Sequence, residues 1–287
     1  MTQPRYIKVV SDLRWKYDLF ILDQWGVLHD GANAHKGAAD AMASIKSAGK
    51  KIILVSNSSR RVADSADGLT KFGITPDLYD HILTSGELAW EAIKNQTDPF
   101  YQRLGKKCFI IGNDRREDFL DGLGLDPVTC VKSADFLLVG DLPHGPIEQL
   151  TPILIDAKAC NLTMIILNPD MISINADGEL SPCPGQVGDA YTKVGGAVKI
   201  HGKPDLSVYQ KCFELAPTTK KILAVGDSLH HDIAGASNAG IESVLITSGI
   251  HAFELKTVPG SKASQKEVDS LCSRTAITPT FWGTRFK

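Results

Sequence analysis

Gly226-Asp227-Ser228-Leu229-His230-His231-Asp232-Ile233 is the stretch that decides the architecture. It follows the apolar run Lys221-Ile222-Leu223-Ala224-Val225 and opens onto the small residues Ala234-Gly235-Ala236. An unbroken apolar run ending at a glycine reads as a buried parallel strand, and open α/β sheets bind ligands beyond the carboxyl ends of such strands. Two carboxylates placed there suit a hard cation. Near the start, Tyr17-Asp18-Leu19-Phe20-Ile21-Leu22 runs into Asp23-Gln24-Trp25-Gly26-Val27-Leu28, a second strand ending on an acid. The pairing suggests a nucleophile and its metal assembled from the two ends of the chain.

Between these stretches strand and helix patterns alternate. Gly37–Ala48 has helical periodicity and stops at Gly49; Lys50–Val55 is an apolar strand, and a helix over 60–72 follows. His81–Thr84 is a short strand, with Ser85 capping a helix to Asn95. A second alternating unit follows: strands at Lys107–Ile111, Ala134–Val139 and Leu162–Leu167, a helix over 146–159, a turn at Asp177-Gly178 and a linker at Ser181-Pro182-Cys183-Pro184-Gly185. The first pattern then resumes with strand Val198-Lys199-Ile200, helix 206–215, strand 222–225, helix 233–239 and strand 243–247. This predicts an α/β protein, a doubly wound parallel sheet interrupted by a smaller α/β insertion, divided as 1–88, 89–183 and 184–287. The tail from Lys256 is polar; 263–273 reads as a helix and Phe281-Trp282 as an apolar patch without a legible role.

At 287 residues the chain is long enough for more than one core, and its 43% hydrophobic and 22% charged residues are those of an ordinary globular protein. A net charge of −2 gives no electrostatic reason to expect nucleic acid or an anionic membrane. The six cysteines are scattered without metal-like spacing, as in a reduced cytoplasmic protein. The N-terminus lacks a signal-peptide core and no run approaches the roughly 20 apolar residues of a membrane span. The chain reads as cytoplasmic, with its oligomeric state open, a homodimer included.

Four pieces carry chemistry. Asp23, at a strand end, is a candidate nucleophile toward phosphorus. Ser56 and Asn57 offer a hydroxyl and backbone N–H groups for a phosphate at a helix N-terminus. Lys203, in His201-Gly202-Lys203-Pro204-Asp205, would neutralise phosphate and crowded carboxylates. Asp227 and Asp232 complete an oxygen-ligand site for magnesium, with Asp23 and Asp227 direct ligands and Asp232 direct or one water removed. Each alone has a plainer reading: a solvated acid, ordinary helix capping, a surface lysine, an Asx turn.

In this order, each after a strand, the four pieces resemble the haloacid dehalogenase-like hydrolase superfamily, and in particular its subfamily IIA of N-acetylglucosamine-phosphatase-like and nitrophenylphosphatase-like enzymes. Gly26-Val27-Leu28-His29-Asp30-Gly31, Ser56-Asn57-Ser58-Ser59-Arg60-Arg61, Ile82-Leu83-Thr84-Ser85-Gly86-Glu87, Asn168-Pro169-Asp170 and Gly202-Lys203-Pro204 add to the likeness, which extends to about Gly249. The resemblance implies an α/β cap over the site, a phospho-Asp23 intermediate, and a magnesium ligand from the Trp25 backbone carbonyl. It also implies a small phosphorylated metabolite such as a sugar phosphate as substrate. Asp170 and the loop 175–178 would contribute to its selection.

One position departs from the family pattern. Phosphatases of this family carry a second Asp two residues after the nucleophile, which protonates the leaving alcohol and later activates water. Here that residue is Trp25, whose indole N–H has no acid–base chemistry near neutral pH. The departure leaves two readings open, a phosphatase of altered efficiency or a binder of magnesium and a phosphorylated ligand acting as sensor or scaffold. Dehalogenase chemistry fits less well, because that branch lacks the metal acids. His29, Asp30 and His230 are near enough in sequence to stand in as acid.

Overall fold

Leu19–Leu22 is buried at every position, as a strand must be when both faces of its sheet are covered. Alternate residues go to opposite sides. Phe20 and Leu22 pack with Met42, Ile45, Ile52 and Leu54, whereas Leu19 and Ile21 pack with Ile53, Val55, Val208 and Tyr209. The sheet around this strand is therefore the middle of three layers.

The computed structural model describes residues 3–96, 98–112, 117–257 and 261–287. Its strands are β1 (Arg5–Tyr6), β2 (Leu19–Leu22), β3 (Lys51–Ser56) and β4 (His81–Thr84), then β5 (Lys107–Ile111), β6 (Asp126–Pro127) and β7 (Phe136–Val139). There follow β8 (Thr163–Ile166), β9 (Ile172–Ile174), β10 (Leu180–Pro182), β11 (Ala197–Ile200), β12 (Ile222–Gly226), β13 (Glu242–Ile246) and β14 (Phe281–Gly283). The ends of the chain build one seven-stranded sheet, ordered β1-β14-β13-β12-β2-β3-β4 and parallel throughout. The middle builds a five-stranded parallel sheet, β11-β8-β7-β5-β6, and an antiparallel hairpin, β9–β10.

Helices α1 (Ala38–Ser47) and α2 (Val62–Lys71) cover one face of the main sheet. Next come α3 (Ser85–Asn95), on one face of the second sheet, and α4 (Thr151–Ala159) and α5 (Gly185–Lys193), on the other. The other face of the main sheet takes α6 (Leu206–Leu215) and α7 (Ala234–Asn238), and α8 (Gln265–Thr275) closes the chain's last core cluster. No helix among the described residues is long and apolar enough to cross a membrane.

Three sequence expectations are corrected. Val198-Lys199-Ile200 does not resume the first sheet: β11 pairs with β8, and Val198 and Ile200 share a core with Leu137, Val139, Val187 and Tyr191. The inserted sheet thus continues to Ile200 rather than stopping at Cys183; an apolar run shows a strand but not which sheet receives it. Ser181–Gly185 is no linker, since β10 ends within it and α5 begins at Gly185. The cap of α3 is Thr84, whose hydroxyl accepts from the Glu87 N–H at 3.0 Å, rather than Ser85. The tail acquires a role: Phe281–Gly283 is a strand between β1 and β13, and Leu271, Val268 and Trp282 pack against Leu229 and Ile233.

Candidate active site

The chain passes from β2 to β3 and β4 on one side and from β12 to β13 and β14 on the other, so sheet order reverses between β2 and β12. The crevice beyond such a switch point is where open α/β sheets hold ligands. Asp23 leaves β2 there, its N–H donating to the Val225 carbonyl at 2.9 Å, and Asp227 follows β12 directly. Both are buried. Asp227 Oδ2 accepts from the Ile250 N–H at 2.8 Å. Two glycines make room for that carboxylate: a Cβ on Gly26 or Gly249 would lie 2.0 or 2.1 Å from Asp227 Oδ2.

Asp232 sits in a single π turn, Leu229–Ile233, of the kind that often accompanies functional sites. Its Oδ2 accepts from the Ser228 N–H at 3.1 Å. Lys203, also buried, donates from Nζ to Asp232 Oδ1 at 2.7 Å and to Asp23 Oδ1 at 2.5 Å. Burial alone would push the Lys203 ammonium to lose its proton, but Asp23 and Asp232 outweigh it and raise its pKa. Burial lifts Asp23 to about 7 even with Lys203 pulling it down, and lifts Asp227 well above the carboxylate range, with Asp23 adding to the effect.

Three carboxylates therefore gather about one ammonium, which bonds to two of them, and one oxygen from each lies within 4.8 Å of the others. An all-oxygen donor set with excess negative charge in a buried pocket suits a hard divalent cation, which would relieve the cost on Asp227. The residues fit such an ion.

Ser56 and Asn57 reach the site by a different route from the expected one. They do not open a helix: α2 starts at Val62, and its first N–H donates to Glu87. The Ser56 hydroxyl accepts from the Ser58 N–H at 3.2 Å and lines the cavity beside Asp23. Asn57 is a clamp: Oδ1 accepts from the Lys203 N–H at 2.8 Å and Nδ2 donates to the Lys203 carbonyl at 3.0 Å. The same Nδ2 donates to Asp170 at 2.8 Å.

Trp25 spends its indole N–H on the insert. The indole is 39% exposed and donates to the Ile174 carbonyl at 2.6 Å, joining the nucleophile loop to β9. Ile172, Ser173 and Ile174 line the cavity, whereas residues 175–178 form the hairpin tip. The three stand-in acids fare poorly. His29 is buried, stacked on Phe72, and pushed by burial to about 4. Asp30 caps a turn through the Ala32 and Asn33 N–H groups, and His230 is exposed. His231, which the sequence did not single out, lines the cavity with Nδ1 3.0 Å from Asp170 Oδ1. Burial lowers its affinity for a proton, but Asp170 more than reverses this. No sequence spacing brings residues 170 and 231 together; only the fold of the insert over the main sheet does.

Two family models match the chain, a haloacid dehalogenase-like hydrolase over residues 20–126 and a HAD-hydrolase-like protein over residues 200–271. The chain belongs to the haloacid dehalogenase-like hydrolases, and its relatives fit subfamily IIA. The 4-nitrophenylphosphatase of Schizosaccharomyces pombe is 26% identical, aligned over 88% of this chain and 90% of that one. Sugar-phosphatase AraL of Bacillus subtilis is also 26% identical, over 80% and 82%. A haloacid dehalogenase-like hydrolase from Brucella suis superposes with a TM-score of 0.80 at 24% identity, covering 98% of this chain and all of the other. The glycerol phosphate phosphatase of Mycobacterium tuberculosis, solved in complex with magnesium, shares the fold at a TM-score of 0.64 and 22% identity, over 89% and 77%.

Proposed function

We propose that the chain is a magnesium-dependent phosphatase of small phosphorylated metabolites that works through phospho-Asp23. The observation that carries this reading is the contact of Lys203 Nζ with Asp23 Oδ1, with Asp227 and Asp232 gathered around the pair. The 4-nitrophenyl- and sugar-phosphatase names of the relatives support the reaction class, and the magnesium in the glycerol phosphate phosphatase supports the cation.

In the first step a carboxylate oxygen of Asp23 bonds to phosphorus and the bond from phosphorus to the leaving oxygen breaks. In the second, water bonds to phosphorus and releases inorganic phosphate from Asp23. Lys203 fixes one Asp23 oxygen and holds positive charge where the phosphoryl oxygens arrive, the kind of preorganised electrostatics that dominates phosphoryl transfer. Asn57 sets the position of Lys203 through its backbone. The Ser56 hydroxyl faces the same cavity and suits a phosphoryl oxygen. Asp23, Asp227, the Trp25 carbonyl and Asp232 would hold magnesium, which would supply charge neutralisation when bound. The insert, with β9 over the cavity, serves as the cap that excludes water.

Trp25 favours a second reading, a binder of magnesium and a phosphorylated ligand with weak turnover, because it offers no carboxylate for proton transfer. A phosphate-release screen over metabolites, with magnesium and with chelator, separates the two. Magnesium-dependent release supports the phosphatase; tight binding of a phosphate ester without release supports the binder.

A further inference from the structure

The cavity around Asp23 has a volume of only about 50 Å³, but a second one of about 420 Å³ adjoins it. The two share Trp25, Ser56, Asp170 and Ser173 as common walls. The small cavity has room for a phosphoryl group, and whatever the phosphate esterifies must extend into the larger chamber, which lies between α2, the Trp25–His29 loop and the insert.

The charges that line that chamber point to its occupant. Arg60 and Lys71 line it, and among the described residues neither is paired with a carboxylate. The neighbouring Arg61, by contrast, is fully engaged, with Nε and Nη2 each 2.8 Å from a Glu87 oxygen. The one acid in the lining, Asp170, is already met by Asn57 and His231.

We propose that the chamber receives the leaving-group half of the substrate and that this half carries a second anionic group, a carboxylate or a further phosphate, bound by Arg60 and Lys71. The proposal rests on the phosphatase reading and narrows its substrate class from phosphorylated metabolites in general to doubly anionic ones.

Matched substrate pairs test it. 3-Phosphoglycerate differs from glycerol 3-phosphate by a carboxylate in place of a hydroxymethyl group, and fructose 1,6-bisphosphate from fructose 1-phosphate by a second phosphate. In the wild type, kcat/KM should favour the more anionic member of at least one pair by about tenfold or more, the worth of a charge-assisted contact. The pair showing the preference identifies the second anion. In Arg60→Gln/Lys71→Gln that ratio should fall to near one. Equal treatment of both pairs by the wild type, or a preference that survives the double substitution, overturns the proposal. If no ester releases phosphate, 4-nitrophenyl phosphate included, the phosphatase reading is what fails. Calorimetric binding of the same pairs then judges the chamber, with equal affinities in wild type and double variant overturning it.

Discussion

The indole nitrogen of Trp25 donates to the backbone carbonyl of Ile174 at 2.6 Å, across 149 residues of sequence. A loop that starts at the nucleophile strand is thereby bonded to the hairpin that lies over the site. The ring rests against Gly31, where a Cβ would come within 2.2 Å of it, and meets the edge of His29 at 5.4 Å. At the position where the family resemblance implies an acid, this chain has a tether.

Loss of the acid should make the rate depend steeply on the leaving group. Aryl and acyl phosphates, which depart as weakly basic anions, should be hydrolysed far faster than alkyl phosphates, with burst kinetics as phospho-Asp23 accumulates. Trp25→Asp should raise alkyl-phosphate turnover, up to the order of 10²-fold if the new carboxylate is well placed. The stability cost should fall short of the roughly 3–5 kcal/mol of a fully buried aromatic, since Trp25 is 39% exposed. Equal wild-type rates for aryl and alkyl esters would mean that another side chain supplies the proton. His231, facing the cavity against Asp170, is then the first to substitute in place of His29.

The cation prediction needs only the carboxylates. Magnesium titrated calorimetrically should bind Asp227→Asn at least about tenfold more weakly than wild type, because a ligand charge is gone while the shape is kept. Equal affinities would remove Asp227 from the site.

Gly249→Ala tests the cradle without touching a charge. The new Cβ would lie 2.1 Å from Asp227 Oδ2, so the carboxylate or the Gly249 backbone must shift. The variant should lose magnesium affinity and about 1–3 kcal/mol of stability, as overpacked positions do. Unchanged melting and titration curves would show that the loop gives way freely.

Acid stability should carry the mark of His201, whose ring shares a hydrogen bond with Tyr101. Burial, helped by Lys199, lowers it from 6.5 to about 4, so the folded protein keeps it neutral. On acidification the unfolded chain takes up the proton first, and the stability that His201 contributes is lost as pH falls from about 6.5 towards 4. Between pH 7 and 4.5 the wild type should lose more unfolding free energy in urea than His201→Gln does. Parallel losses would refute the assignment.

Much of this was legible in the sequence because it is local. Apolar runs ending on Asp23 and Asp227 fix two parallel strands and the acids beyond them, and the switch point follows from strand order. Partnership across the chain was not legible. Nothing near Asn57 says that its amide holds the Lys203 backbone, and nothing near Trp25 names Ile174. β11 was misassigned for the same reason, since its half-exposed residues fit either sheet until Met164 is placed beside Val198. The polar tail hid β14 because three residues carry too little periodicity to show a strand.

The central claim is the covalent step on Asp23. Wild type mixed with 4-nitrophenyl phosphate and magnesium, quenched in acid within the first turnovers and digested, should yield a peptide carrying one phosphoryl group on Asp23, seen by mass spectrometry. Asp23→Asn should show neither the adduct nor turnover. Sustained phosphate release by Asp23→Asn, or wild-type turnover with no phosphoryl group ever found on Asp23, would contradict the account.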